Sequence, residues 1–283
     1  MKWVKEINEV IEGLSSGDVR FCDCRFSLGE PQEGEQAYLE EHIPGAVYFH
    51  LEKDLSGQVS EHGGRHPLPD MNEFKGKLER AGISNHTAVI AYDGGEGAFA
   101  ARLWWLLKYA GHEKVYVLNG GFREWKKEGQ PVTKEITHIA KGEYNLSLNA
   151  DILADTEEVK KVSGAESKKT LIDSREKKRY LGIEEPIDKK AGHIPGAVNY
   201  PWTYGFDSGK YRIAEEQRKR FSSTSPEDPV IVYCGSGVTA APNFIALKEA
   251  GYENVKLYIG SFSDWISYPE NLVAQEAVNK KIP

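Results

Sequence analysis

One cysteine in this chain has neighbours suited to chemistry: Cys234, in the run Val230-Ile-Val-Tyr-Cys-Gly-Ser-Gly-Val-Thr-Ala-Ala241. Apolar and aromatic residues lead up to the thiol, and Gly235, Ser236, Gly237, Val238 and Thr239 follow it. A buried strand, a tight turn and a helix start is the order that such a run predicts. The amides of the turn and the positive end of the helix dipole would then surround the sulfur, a setting that favours thiolate over thiol. Gly235 and Gly237 let the backbone turn sharply and expose those amides. The chemistry on offer is nucleophilic attack by sulfur, with an anionic product held by the N–H groups from Gly235 to Thr239. A structural cysteine buried at a strand end is the competing reading, and the glycines argue against it.

Stepping along the chain shows a repeat. His-Ile-Pro-Gly-Ala-Val occurs at 42–47 and again at 193–198, and Asp23-Cys24-Arg25 matches Asp173-Ser174-Arg175. The Tyr92-Asp93-Gly94 step matches Tyr233-Cys234-Gly235, and the stretch 110–125 matches 250–265. Four blocks in the same order mean two copies of one domain, and the spacing places about ten extra residues in copy one, before Tyr92. That excess holds Ser60-Glu-His-Gly-Gly-Arg-His-Pro-Leu-Pro69, a polar loop with His62, Arg65 and His66 that a core would not contain. Copy one has Asp93 where copy two has Cys234. An aspartate cannot act as the sulfur nucleophile, so copy one is a scaffold and copy two carries the chemistry.

Strand and helix signals alternate in both copies, as an α/β fold with parallel sheets requires. Strands are expected at 19–22, 46–49, 87–92 and 114–118, with counterparts at 170–173, 197–200, 230–233 and 255–258. Helices are expected at 98–110 and 239–250, with Pro242 in the first turn of the latter, where its missing N–H is harmless. The domains are read as 1–133 and 150–283, joined by a linker at 134–149 that has little periodicity. A polar tail at 270–283 is read as a surface helix. Trp104, Trp105, Trp125 and Trp265 read as core. Cys22 and Cys24 alternate on a strand and so face opposite sides, with at most one of them a peripheral thiol.

Composition sets the class of partner. The 283 residues carry a net charge of −7, which argues against nucleic acid or an anionic membrane as partner. No run approaches the ~20 apolar residues of a membrane span. The start, Met-Lys-Trp-Val-Lys-Glu, is charged where a signal peptide is apolar, and three cysteines without an export signal suggest reduced thiols; a cytoplasmic protein is expected. Cys22-Asp-Cys24 is too tight and lacks the second half of a zinc site, so no metal is expected.

Taken together, the two His-Ile-Pro-Gly-Ala-Val blocks, Asp-Ser-Arg at 173–175, the Cys-Gly-Ser-Gly-Val-Thr loop and the Gly-x-Phe-x-x-Trp segments resemble the tandem rhodanese family of sulfurtransferases, over nearly the whole chain. The loop is similar to that of the 3-mercaptopyruvate branch; the thiosulfate branch more often has basic residues where Gly235 and Ser236 stand. The resemblance implies two rhodanese-like domains, a catalytic site between the copies and a persulfide on the cysteine. Sulfur would pass from 3-mercaptopyruvate or thiosulfate to a thiol such as thioredoxin or to cyanide, with no organic cofactor.

It also implies site residues. Arg179 sits where a substrate-binding arginine is found, since a planar guanidinium suits a carboxylate or the oxygens of thiosulfate. A second arginine of that branch aligns with Asp188, with Lys189 and Lys190 beside it as possible substitutes. His66 matches a histidine that reaches the cysteine loop, in a group formed by Ser236, His66 and a carboxylate; Glu52 aligns best with the latter and Asp54 less well. That group would move a proton to the departing enolate. Two other readings stand beside these: thiosulfate as the main donor, and a non-catalytic rhodanese-type binding module. A phosphatase of the related type needs an arginine where this chain has Ala240.

Overall fold

A computed structural model describes residues 1–14, 18–163 and 169–275. The chain divides into two compact units. The first comprises Met1–Gln58, Leu68–Ala150 and Phe206–Glu216; the second comprises Val59–Pro67, Asp151–Gly205 and Gln217–Pro283. The units therefore exchange two segments that the continuous ranges 1–133 and 150–283 keep apart. The stretch 134–149 is pinned to the first unit instead of hanging as a linker: Tyr144 is buried, and the amide of Asn149 donates to Tyr109 O at 2.8 Å.

In the first unit the elements run β1 (Val4–Lys5), α1 (Ile7–Leu14), β2 (Val19–Asp23), α2 (Glu33–Glu40), β3 (Val47–Tyr48), α3 (Met71–Arg80), β4 (Ala88–Tyr92), α4 (Ala98–Tyr109), β5 (Val115–Leu118) and α5 (Gly121–Lys127). Their parallel sheet has the order β1-β5-β4-β2-β3. In the rest of the chain come β6 (Leu153–Ala154), α6 (Thr156–Val162), β7 (Thr170–Asp173), α7 (Lys177–Tyr180), β8 (Val198–Asn199), β9 (Phe206–Asp207), β10 (Lys210–Tyr211), α8 (Ala214–Arg220), β11 (Val230–Tyr233), α9 (Ala241–Glu249), β12 (Val255–Tyr258) and α10 (Ser261–Trp265). The parallel sheet of the second unit, β6-β12-β11-β7-β8, repeats the first strand for strand.

Central strands β4 and β11 are buried along their whole length, which is why both read as unbroken apolar runs. The two-residue edge strands β1 and β6 and the hairpin β9–β10 carry too little pattern to be found from sequence. Helix α9 starts two residues later than expected because the cysteine loop uses the chain up to Ala240. The tail is not helical where it is described: Ala274 bridges His193 in an antiparallel pair, and 276–283 lie outside the described residues.

The repeated motifs do structural work in both units. His42 and His193 stack on Tyr38 and Tyr180, and each ring bonds through Nδ1 to that tyrosine's carbonyl at 2.7 Å. Arg25 and Arg175 clasp Asp23 and Asp173 and reach backbone carbonyls beyond, Glu41 O and Gly192 O. All four expected core tryptophans are buried. Cys22 and Cys24 are both buried, and burial pushes both thiols well above the ordinary range, so neither is peripheral. Cys22 lies on β2 and Cys24 just past its end, where the chain is covered on both sides, which removes the distinction that alternation would have made. No helix among the described residues is long and apolar enough to cross a membrane.

Candidate active site

The site is built within the second unit, at the C-terminal end of its central strand. Open parallel sheets bind ligands at that end. Directly after β11, the Cys234 amide donates to Ser261 Oγ at 3.1 Å, and Cys234 O accepts the Phe262 amide at 3.0 Å. The next carbonyl, of Gly235, accepts the Ser263 amide at 2.9 Å, so the start of α10 clamps the start of the loop. Ser261 sits at φ 56°, a conformation that side chains disfavour, and its Oγ also donates to Tyr258 O at 2.8 Å. Gly237, at φ 75°, turns the chain back, and its N–H donates to Cys234 Sγ at 3.1 Å.

The segment Val59–Pro67 brings two more groups to this loop. It is fastened to α10 and the residues after it: Gly63 N–H donates to Asp264 Oδ1 at 2.7 Å, Arg65 N–H to Ser263 Oγ at 3.1 Å, and the His62 ring bonds Ser267 Oγ at 2.8 Å while stacking on Tyr268. His62 is thus a structural anchor. His66 follows, buried, with Nδ1 2.8 Å from Ser236 Oγ. The loop thus holds a cysteine and, two residues on, a hydroxyl bonded to the imidazole of another segment, and Cys234, Ser236 and His66 are all buried.

Arg179, on the short helix α7, donates to Glu185 at 2.7 Å and to Asp188 at 2.8 Å. Asp188 also pairs with Arg65, while Glu185 also pairs with Arg175 at 3.2 Å. The side chains of Asp188 and Glu185 are buried, and the two guanidiniums of Arg65 and Arg179 close over Gly235. A Cβ there would stand 2.8 Å from Arg65 Nη2 and 3.5 Å from Arg179 Nη2. Burial draws the pKa of Arg65 down, and the Cys234 sulfur is the strongest charge opposing that shift. Lys189 and Lys190, the expected stand-ins for a second arginine, are exposed. The cation beside the loop is Arg65. The sequence places Arg65 in the polar loop beside His66 but gives it no role, because its partner Asp188 lies 123 positions away.

Val238 is buried and Thr239 half-buried on the loop's way to α9. Glu52 belongs to the first unit, where it is exposed and its amide donates to His50 Nδ1 at 3.1 Å. The Asp54 carboxylate is already engaged there, by the His50 amide at 2.8 Å and Lys77 at 3.0 Å.

The equivalent loop of the first unit shows what the turn after such a strand holds. Asp93 is buried and accepts four amides, from Gly95, Gly97, Phe99 and Ala100, at 2.9–3.2 Å. Burial pushes its carboxyl up and the amides oppose this. The turn is an anion cradle filled by its own side chain. Asp93→Ala, which leaves those buried N–H groups unpaired, should lower stability by about 3 kcal/mol in urea denaturation. A loss under 1 kcal/mol would mean that the cradle does not depend on its anion.

The rhodanese-like domain family matches residues 6–128 and 155–268. A Pseudomonas aeruginosa protein named "Probable 3-mercaptopyruvate sulfurtransferase" is 42% identical over 267 residues, 92% of this chain and 94% of that one. The thiosulfate sulfurtransferase of Bos taurus is 36% identical over 285 residues, 97% of this chain and 94% of that one. Among solved structures, the crystal structure of SseA from Escherichia coli, presented as a 3-mercaptopyruvate sulfotransferase, matches with a TM-score of 0.82 at 32% identity, covering 93% of this chain and 100% of that chain.

Proposed function

The chain belongs to the rhodanese-like family in both halves and is a sulfurtransferase; we propose that it moves sulfane sulfur from 3-mercaptopyruvate to a thiol through a persulfide on Cys234. The observation that carries this is the loop itself: Cys234 Sγ accepting the Gly237 amide, two residues from a hydroxyl bonded to a buried imidazole. The family match and the mercaptopyruvate-type relatives support the donor class.

The thiolate of Cys234 attacks the donor sulfur, a new S–S bond forms, and the C–S bond breaks with its electron pair on carbon. That carbon is an enolate of pyruvate and needs a proton. Ser236 and His66 supply it as a relay, since a hydroxyl bonded to imidazole can pass a proton at little cost in geometry. The persulfide that remains is anionic and lies among the loop amides. In the second half-reaction an acceptor thiolate attacks the outer sulfur, takes it, and leaves Cys234 as thiolate, a ping-pong scheme. Thioredoxin, another small thiol or cyanide would serve as acceptor. Arg179 binds the donor's carboxylate as a planar fork.

The deciding experiment is an intact-mass spectrum after brief incubation with 3-mercaptopyruvate and, separately, with thiosulfate. A gain of one sulfur atom, removed by added thiol, supports the reading, and faster loading by 3-mercaptopyruvate supports the donor. No gain with either donor overturns it in favour of a binding module. Faster loading by thiosulfate would move the main activity to that donor.

His66→Ala should slow turnover with 3-mercaptopyruvate by roughly 100-fold. With thiosulfate the effect should be several-fold smaller, because sulfite leaves without needing a proton. Steady-state rates with both donors make the comparison, and equal slowing would remove His66 from the acid role.

A further inference from the structure

We propose that Arg65 is a second donor-binding guanidinium, which with Arg179 forms a two-armed clamp for the carboxylate and adjacent carbonyl of an α-keto acid donor, and that Asp188 is the positioning residue that holds the two arms. The inference deepens the proposed function and rests on it for the identity of the donor. Nothing in the run around Asp188 suggests such a clamp, since the position offers a negative charge.

The geometry carries the assignment. Asp188 is buried, with 1% of its side chain exposed, and its two carboxylate oxygens are divided, Oδ1 to Arg65 and Oδ2 to Arg179. One carboxylate thus fixes two guanidiniums side by side. Glu185 braces Arg179 from behind through Nε and Nη2, and Ser263 fixes the backbone of Arg65. Arg179 Nη1 and Arg65 Nη2 are left with no hydrogen-bond partner among the described residues, and both face the position of a Cβ on Gly235, at 3.6 and 2.8 Å. Gly235 is the residue next to the nucleophile. The absent side chain leaves the space in which the two forks meet.

Only a third of the Arg65 side chain is exposed. The N–H groups that remain are open to an incoming acceptor, and a single buried aspartate does not use them all. Two forks held in place beforehand lose little freedom when an anion arrives, which is what a donor with adjacent carboxylate and carbonyl oxygens would exploit. The loop after the cysteine is itself uncharged at Gly235 and Ser236, so the positive charge that a donor anion needs comes from these two side chains. A purely structural role for Arg65, tying Val59–Pro67 to Asp188, is the alternative that the test must separate.

Alkylation of Cys234 separates them without turnover. Iodoacetate and iodoacetamide react with the thiolate by the same displacement of iodide, but only iodoacetate brings a carboxylate. Rates at Cys234, read by peptide mass spectrometry, should show iodoacetate favoured over iodoacetamide in the unaltered protein, relative to free cysteine. In Arg65→Gln the ratio of the iodoacetate rate to the iodoacetamide rate should fall roughly 10-fold or more, the lower end for a charge-assisted hydrogen bond, while any loss of thiolate slows both reagents alike and leaves that ratio untouched. Arg65→Lys should fall in between, and Arg179→Gln should resemble Arg65→Gln. If Arg65→Gln leaves the ratio unchanged while Arg179→Gln lowers it, Arg179 binds alone and the proposal is overturned. Parallel loss of both rates would likewise overturn it, in favour of a structural tie. Sulfur loading distinguishes the two levels: failure of 3-mercaptopyruvate to load the unaltered protein sinks the proposed donor but leaves the anion clamp standing on the alkylation ratio.

Discussion

In the Cys234→Ser protein, 3-mercaptopyruvate and thiosulfate should both leave the intact mass unchanged, and transfer to any acceptor should fall on the order of a million-fold, below detection. A serine hydroxyl can still accept the Gly237 amide but is almost wholly protonated at neutral pH, so the loop remains folded around a group that cannot attack. The comparison that gives this meaning is the other two cysteines. Cys22 and Cys24 are buried in the first unit, so Cys22→Ser and Cys24→Ser bury a more polar hydroxyl in place of each thiol and should cost about 1–3 kcal/mol of stability each. Their loading by donor should be that of the unaltered protein. One substitution should remove activity and spare the fold, while the other two weaken the fold and spare activity. Sulfur loading that survives in Cys234→Ser would overturn the central assignment.

Much of the fold was legible because both of its sheets are doubly covered. Strands such as β4 and β11 show as apolar blocks, and the internal repeat let each copy support the reading of the other. The repeat also separated structural motifs from chemical ones: Asp-x-Arg and His-Ile-Pro-Gly occur also in the unit whose loop has Asp93 in place of the cysteine, and in both units they bond to backbone. What could not be read was whatever depends on long-range contact. Arg65 and Asp188 lie 123 positions apart and carry no mutual pattern. The assignment of Val59–Pro67 to the second unit has the same origin, since a polar loop shows that it is exposed or bound but not to what. Asp188 misled for a physical reason: a carboxylate aligned with a substrate-binding cation reads as a loss of charge, whereas here it holds two cations in place.

The pair Asp173–Arg175 should be the most costly side-chain contact to break in the second unit. Arg175 has 1% of its side chain exposed and spends its guanidinium on Asp173 through Nε and Nη2, on Gly192 O at 2.6 Å and on Glu185 at 3.2 Å, while its plane lies 3.9 Å from the centre of the Phe262 ring. These contacts join the end of β7, the segment before the His193 block and the start of α10, the three pieces that frame the cysteine loop. Arg175→Ala leaves the Asp173 carboxylate buried without its cation, for which a loss of about 3–5 kcal/mol is expected. Arg25→Ala, at the matching position of the first unit, should cost less, because 11% of that side chain reaches solvent and water can reach the carboxylate that remains. Urea denaturation followed by fluorescence measures both. Replacing the pair together, Asp173→Leu with Arg175→Met, should recover much of the loss, since a buried ion pair gains little over a packed apolar one once both charges are gone. The double variant should nevertheless show a raised KM for the donor, because Glu185 then loses one of its two guanidiniums and braces Arg179 less firmly. A loss under 1 kcal/mol for Arg175→Ala would show that the contact follows from the fold without supporting it, and the repeated Asp-x-Arg motif would need another explanation.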